Sequence, residues 1–509
     1  MIKNKKNTSS FYQNIGLLGG PIVFLLIILF VDLDPGKPEI TYTFAAAILM
    51  ATWWITEAVP LAITSLLPVV LFPLLGVMNG KDVSATYFNH VIFLFIGGFI
   101  VALAMQKWNL HKRIAIRILI LIGVGPGRIL LGFMIATAFL SMWISNTATA
   151  MMMLPIVISI INKLEEIIGK KEIKKYAIGL LLGIAYSASI GGIATLVGTP
   201  PNLSFVRIFS ILFPEAPEIS FSTWFLFALP ISFILFIITW GYLFIVFNPG
   251  KKNWSGINRE TFKTQLRELG STSYEEKVVL IHFIVLAVLW LFRADIQIGN
   301  FIIPGWSDIF NKPQYINDGT VAILVAIILF VFPSKDKSSK RIMNWETANR
   351  IPWGIVLLFG GGFALASAFK ESGLSIWFGE QLSWTASIHP FVIIAVIAFL
   401  MTFLTELTSN TATTEMLLPV FAGLAVSTQI NPLLFMIPAT LSASMAFMLP
   451  VATPPNAIIF GTGRLTVIQM VRAGLILNFI AIIVVTLASY FYGRIIFDID
   501  IFQFPTWGN

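Results

Sequence analysis

The five residues SNTAT stand at Ser145–Thr149, and the same five letters return at Ser409–Thr413. Each copy sits at the centre of a long apolar stretch, near 129–161 and near 388–427. A polar group without a hydrogen-bond partner is costly in an apolar medium. Two identical polar clusters in such surroundings therefore call for a reason.

Their surroundings read as membrane. The chain has 509 residues, 57% hydrophobic and 11% charged, where a soluble domain carries about 25% charged residues. Mean hydropathy is +0.86, and apolar runs long enough to span a bilayer (about 20 residues) recur from end to end. The basic N-terminus, MIKNKKNTSSFYQN, leads into an apolar run near Ile15–Val31 that no A-x-A-like cleavage site follows. It reads as an uncleaved first span rather than a signal peptide. The chain has no cysteine, which excludes disulfides, thiolate metal sites and cysteine nucleophiles.

Apolar runs and breakers place about 11 transmembrane helices, near 15–32, 40–58, 61–78, 91–108, 177–197, 224–247, 276–293, 319–333, 353–369, 433–450 and 470–493. The two SNTAT stretches are expected to be re-entrant hairpins that enter and leave by one face. With the N-terminus cytoplasmic, this path puts 26 of the 33 basic residues on inner segments and 7 on outer ones. That asymmetry obeys the positive-inside rule, and a hairpin that crossed fully would invert everything after it. The net charge of +8 is thus topological and calls for no nucleic acid.

The SNTAT copies are 264 residues apart, and the same offset lays Phe95, Gly97, Gly98 and Phe99 on Phe359, Gly361, Gly362 and Phe363. It also lays Phe139 and Leu140 on Phe403 and Leu404, and Leu154 and Pro155 on Leu418 and Pro419. The chain reads as a duplication. The first GGF falls on the fourth span and the second on the ninth, an odd number of crossings apart, so the halves run in opposite directions. Such an inverted-topology repeat is a recurring plan of secondary transporters, with sites near the midplane. A second motif pair follows the hairpins: GTPPN at Gly198–Asn202 and ATPPN at Ala452–Asn456. Paired prolines break a helix, and unwound backbone at membrane depth is tolerated where it lines a cavity or is buried in protein.

Ser, Asn and Thr favour helix N-caps. The helix that starts at each SNTAT presents free N–H groups and a positive dipole end, which suits an anion. The arriving helix presents free carbonyls, which with Ser and Asn oxygens suit a small hard cation such as Na⁺. Two such ends related by the repeat can hold two cations and the two charged ends of a dicarboxylate. Neither tip carries Arg or Lys, and a charge at the midplane costs about 2.5–3.5 kcal/mol or more, so co-bound Na⁺ would offset the dianion. A single Ser-Asn-Thr is ordinarily a cap, and a lone Pro-Pro a loop. Two of each, in register inside apolar stretches, favour a site.

The remaining candidates read as structural. Glu57, Glu406 and Glu415 are expected to pair with neighbours or lie at the interface. His90, His111, His282 and His389 are scattered and form no ligand spacing, and the glycines of IGVGPGR (Gly123, Gly125, Gly127) match no phosphate or dinucleotide motif. Nothing indicates an enzyme.

The paired SNT tips, the paired TPPN breaks and the run ATWWITEAVPLAITSLLPVVLFP at Ala51–Pro73 resemble the divalent anion/sodium symporters (the DASS family of sodium-coupled di- and tricarboxylate transporters). The resemblance covers nearly the whole chain and looks closest to bacterial sodium/dicarboxylate symporters. It implies a homodimer in a bacterial inner membrane, with scaffold and transport domains and an elevator-type cycle. On that plan 1–128 and 251–387 are scaffold parts, and 129–250 and 388–509 are transport parts. It implies one Na⁺ at Ser141, Ser145, Asn146 and Gly198, and another at Thr405, Thr408, Asn410 and Ala452. Substrate would meet Asn146, Thr147, Thr199, Asn410, Thr411 and Thr453. The expected function is Na⁺-coupled import of C4-dicarboxylates such as succinate, malate and fumarate. The alternatives are a sodium-independent exchanger on the same fold, an anion channel, and a membrane sensor, for which no signalling domain is in view.

Overall fold

Long helices begin where side chains can take up the orphan N–H groups of a helix end. Asn89 accepts from Val91 N and Ile92 N to open His90–Lys107. A reciprocal Ser273–Glu276 capping box opens Tyr274–Leu291, and Thr466–Gln469 does the same for Val467–Leu487. The computed structural model describes residues 11–248, 250, 259–298, 301–337, 339–501 and 503–508. Five of the basic residues counted above (Lys3, Lys5, Lys6, Lys251 and Lys252) lie outside them.

Among the described residues the fold is helical apart from one antiparallel ribbon, Ile296–Ile298 with Phe301–Ile303, and an isolated bridge between Pro333 and Arg341. Nine of the expected spans fall on helices: Phe11–Phe30, Pro38–Thr56, His90–Lys107, Lys170–Gly192, Phe221–Phe247, Tyr274–Leu291, Asp318–Val331, Trp353–Ser372 and Val467–Leu487. The last continues through a π-helical turn at Ala488–Tyr492. Two expectations are corrected. The span near 61–78 is two short helices, Leu61–Thr64 and Leu67–Leu74, in a stretch that carries Pro60, Pro68 and Pro73. The span near 433–450 stops at Ala443, and no regular helix resumes until Pro454.

Each SNTAT stretch is two helices joined at the motif: Pro126–Ser141 with Asn146–Ile168, and Pro390–Leu404 with Asn410–Ser427. The entering arms have 16 and 15 residues, about 24 and 23 Å at 1.5 Å per residue. Both fall short of the roughly 30 Å hydrocarbon core, as a hairpin that turns inside it requires. In each half the helix that follows, Lys170–Gly192 or Leu433–Ala443, packs against both arms more extensively than the arms pack on each other.

The duplication is visible in contacts. Phe95 and Phe359, equivalent under the 264-residue offset, touch edge to face with ring centroids 5.3 Å apart. A residue that touches its own equivalent lies beside the axis relating the halves. The halves also interlock crosswise: Pro200–Leu212 packs on Asn410–Ser427, while Pro454–Phe460 packs on Asn146–Ile168 and Lys170–Gly192. The Tyr186 hydroxyl of the first half donates to Phe447 O of the second at 2.9 Å.

Candidate functional site

In both copies Ser is the N-cap and Asn the first helical residue. The caps differ. Ser145 Oγ accepts from Ala148 N at 3.3 Å, whereas Ser409 makes no side-chain cap bond. The expected hydroxyl cap therefore forms in the first copy alone. Thr408, just before the second motif, donates to Leu404 O at 2.9 Å and pairs with Thr413 Oγ1 at 2.5 Å. The hydroxyls of Ser145 and Thr408 are thus committed to the hairpin arms themselves, and the Ser145 carbonyl also accepts from Thr149 N at 3.0 Å.

A deeper lock repeats in both halves. The buried Ser141 hydroxyl donates to Ala188 O at 2.7 Å, with the Asn146 side-chain amide 2.5 Å away. With its nitrogen turned to these acceptors, Asn146 donates to Ser141 Oγ, to Ala188 O at 3.0 Å and to Gly198 O at 3.3 Å. The buried Thr405 hydroxyl donates to Ala443 O at 2.8 Å, with the Asn410 amide 2.6 Å away. Each tip asparagine is therefore tied, through a hydroxyl five residues earlier at the end of the entering arm, to the helix that breaks beside it.

The breaks repeat as well. Helix Lys170–Gly192 ends, and Pro200–Leu212 starts with its prolines at the first two positions, where no intrahelical donor is needed. Inside the turn, the buried Asn202 amide donates to Thr195 O at 2.7 Å and reaches Ile193 O and Gly192 O at 3.3 and 3.4 Å. In the second half Asn456 donates to Leu449 O at 3.0 Å and Ala446 O at 3.1 Å. Leu449 and Ala446 are the counterparts of Thr195 and Gly192, each 254 residues on. The amide oxygens Asn202 Oδ1 and Asn456 Oδ1 are both buried and without a partner among the described residues. The sequence motifs contain these asparagines without marking a role for them. Their signal was the fourth letter of TPPN, repeated in both halves.

The residues present fit a hard cation at the first tip. A Cβ on Gly198 would stand 2.4 Å from Gly192 O and 2.9 Å from Ser141 O, so two carbonyl oxygens converge where only glycine fits. The Asn146 amide lies 2.5 Å from where a Cβ on Gly192 would be. Carbonyl, amide and hydroxyl oxygens are the donor set of a hard ion. Among the described residues no group of three or more His, Cys, Asp or Glu gathers as a metal site.

Of the six residues expected to meet substrate, Thr199, Thr411 and Thr453 are buried, and Asn146, Thr147 and Asn410 are half-buried at the tips. Thr199 and Thr453 cap the helices that restart after the breaks, and the Thr453 hydroxyl accepts from Asn456 N at 3.3 Å. The crosswise packing puts each restarted helix beside the other half's hairpin. A cavity of about 200 Å³ lies elsewhere, lined by His90, Glu218 and Asp318 among apolar side chains, and none of the six residues lines it.

Glu406 is expected to pair with neighbours, and it does so through three hydrogen bonds. It accepts from Met448 N and Leu449 N, both at 2.9 Å, and from Asn478 Nδ2 at 2.7 Å. Asn478 Oδ1 in turn accepts from Phe447 N at 3.2 Å. Three successive backbone donors of the second break are fixed in this way. Glu57 closes Pro38–Thr56 in the left-handed region. The histidines stay apart. His282 lies within Tyr274–Leu291, its Nδ1 2.7 Å from Val278 O, and His389 caps Pro390–Leu404.

Paired hairpin tips facing paired helix breaks, in two halves locked about one axis, define a polytopic membrane transporter. The sodium:sulfate symporter transmembrane region matches residues 13–499, and the chain belongs to that family, whose members are transporters and not enzymes. The resemblance drawn from the motifs is borne out. The chain is 44% identical over 508 residues to the sodium-dependent dicarboxylate transporter SdcS of Staphylococcus saprophyticus, across 98% of this chain and 95% of that protein. It is 44% identical over 505 residues to SdcS of Staphylococcus aureus (strain bovine RF122), with the same coverage of 98% and 95%. Among solved structures, Neisseria gonorrhoeae MtrF, described with a class of antimetabolite efflux pumps, matches with a TM-score of 0.57 at 12% identity. That match covers 92% of this chain and 96% of MtrF. The Alcanivorax borkumensis YdaH transporter matches with a TM-score of 0.57 at 12% identity, across 88% of this chain and 98% of that one. At that identity the likeness is one of fold.

Proposed function

We propose that this chain imports C4-dicarboxylates such as succinate, malate and fumarate together with Na⁺. One cation binds at each tip, through Ser141, Ser145, Asn146 and Gly198, and through Thr405, Thr408, Asn410 and Ala452. The substrate carboxylates meet Asn146, Thr147 and Thr199 on one side and Asn410, Thr411 and Thr453 on the other. The observation that carries this reading is the repeated lock, in which Ser141–Asn146 and Thr405–Asn410 each tie a tip to a broken helix. Sodium-dependent dicarboxylate transport by relatives at 44% identity supports it.

The cations carry the electrostatics. A dianion placed among dipoles and hydroxyls alone stands against a large loss of hydration, and two bound Na⁺ neutralise it. Translocation is of the elevator type: the parts 129–250 and 388–509 move past the scaffold parts 1–128 and 251–387. The chain works as a homodimer in a bacterial cytoplasmic membrane with its N-terminus inside, an orientation that the bias of basic residues supports.

Labelled succinate uptake into proteoliposomes tests this reading, with an inward Na⁺ gradient or with K⁺ in its place, and with or without succinate inside. Na⁺-dependent uptake into empty vesicles is expected. Uptake that ignores Na⁺ and needs internal succinate would make the protein an exchanger. Current without saturable competition would make it a channel.

A further inference from the structure

One carboxyl is used by nothing described so far. Glu415 lies on the inner arm of the second hairpin, one helical turn below Thr411 and facing the same way. It is 0% exposed. The Ser204 hydroxyl donates to its Oε1 at 3.0 Å, and its Oε2 has no partner among the described residues. Across from it is the Trp353–Ser372 helix, where a Cβ on Gly362 would stand 2.4 Å from the carboxyl carbon and from Oε2. The missing side chain of Gly362 is the space that the carboxyl fills. The matching position in the first half, 264 residues back, is Met151, which is exposed.

The groups around this carboxyl offer no counter-charge. Pro200–Leu212 presents Ser204, and its one cation, Arg207, is hydrogen-bonded to Ser210. Trp353–Ser372 carries Lys370 and Glu371 only at its far end, with Lys370 bound to Ile211 O. The short helix Leu374–Gln381, packed on the same arm, has the exposed Glu380. Pro38–Thr56 has Glu39 in its first turn, and Leu433–Ala443 has no charge. Tyr87, the titratable side chain that feels Glu415, donates its own proton to Ser65 O at 2.5 Å. Buried ionised carboxylates are kept where they are paired, and among the described residues no basic group faces this one.

We propose that Glu415 is a proton-carrying site of the transport cycle, loaded from water on one side and unloaded to water on the other. This rests on the elevator reading above, in which the second hairpin and Pro200–Leu212 move while Trp353–Ser372 stays. The Gly362 surface then covers the carboxyl only while the two bodies are packed as here, and movement uncovers it. The step balances without a further reactant: water or hydronium protonates the carboxylate before packing, and water takes the proton afterwards. Its place one turn below Thr411 couples it to the filled tip.

The test uses the full-length protein in proteoliposomes loaded with a pH-sensitive dye, at mildly alkaline pH where succinate is fully ionised. Proton and labelled-succinate fluxes are read together under an inward Na⁺ gradient. Succinate uptake by the native protein should acidify the lumen. In Glu415→Gln the proton flux per succinate should be lost, while Glu380→Gln, on the exposed neighbour helix, should keep it. Uptake by the native protein without acidification overturns the proposal, as does an unchanged ratio in Glu415→Gln. Should that variant fail to insert, Ser204→Ala decides: it must shift the pH profile of uptake, and an unmoved profile overturns the proposal. Na⁺ dependence of uptake is read separately, so failure of the symport reading remains distinct from failure of the proton site.

Discussion

The two tips share one lock but seal their breaks differently. At the first, a hydroxyl on the break reaches the hairpin: Thr195 Oγ1 donates to Met142 O and accepts from Gly198 N at 3.1 Å. At the second the partners have changed sides. Leu449 stands where Thr195 would be and Glu406 where Met142 would be, and the hairpin carboxylate now accepts the backbone N–H groups of the break. Glycine changes with them: Gly192 and Gly198 of the first half become Ala446 and Ala452. The first break is thus packed tight on the Asn146 amide, and the second is held by a charge. What both halves keep is the hydroxyl–asparagine pair and the asparagine of TPPN. The shared parts mark the common task, and the exchanged parts mark two separate ways of holding an unwound helix.

This contrast can be broken, and the largest effect belongs to the shared parts. Asn146→Ala and Asn410→Ala should each bring succinate uptake to background while the purified protein still elutes as a folded species. Near-normal uptake by either would remove the tips from the transport site. Next comes the packed glycine. Gly192→Ala drives a methyl into the Asn146 amide, and a displacement of about 1 Å at a positioned group costs about 10²-fold in rate. Ala446→Gly, its counterpart, should change uptake little. Equal losses in both would erase the claimed difference between the breaks.

Smaller effects concern stability. Glu406→Gln replaces a charged acceptor of two backbone donors and should destabilise by about 2 kcal/mol, against about 1 kcal/mol for Thr195→Val. Thermal unfolding in detergent compares the two, and the order Thr195 above Glu406 would contradict the picture of a charge-held second break. His282→Ala should do least. Its bond is internal to its own helix, and uptake should stay at the native level.

Much of this was legible beforehand because the signals are local. Apolar runs gave nine of the helices, and the offset of 264 joined His90–Lys107 to Trp353–Ser372 and hairpin to hairpin. The misses have physical causes. The offset shortens from 264 to 254 at the breaks in two steps: the arm Asn410–Ser427 is five residues shorter than Asn146–Ile168, and the path from Ser427 to Ala446 is five shorter than that from Ile168 to Gly192, and no local pattern shows where a repeat slips. The 61–78 run is apolar enough for one helix, but Pro60, Pro68 and Pro73 break it into two short ones. Glu406 and Glu415 looked alike in the sequence, two acids flanking one tip.

The sequence by itself determined a membrane protein, two inverted halves, and the places where polar residues interrupt apolar helices. Hydropathy, proline chemistry and repetition act over a few residues and leave their mark in the chain. Only the tertiary structure decided which donors those polar residues meet. Glu406 found two backbone N–H groups and an asparagine that holds a third, while Glu415 found one hydroxyl and the bare face of Gly362. The role of a carboxyl inside a membrane is set by what surrounds it, and those surroundings come from the other half of the chain.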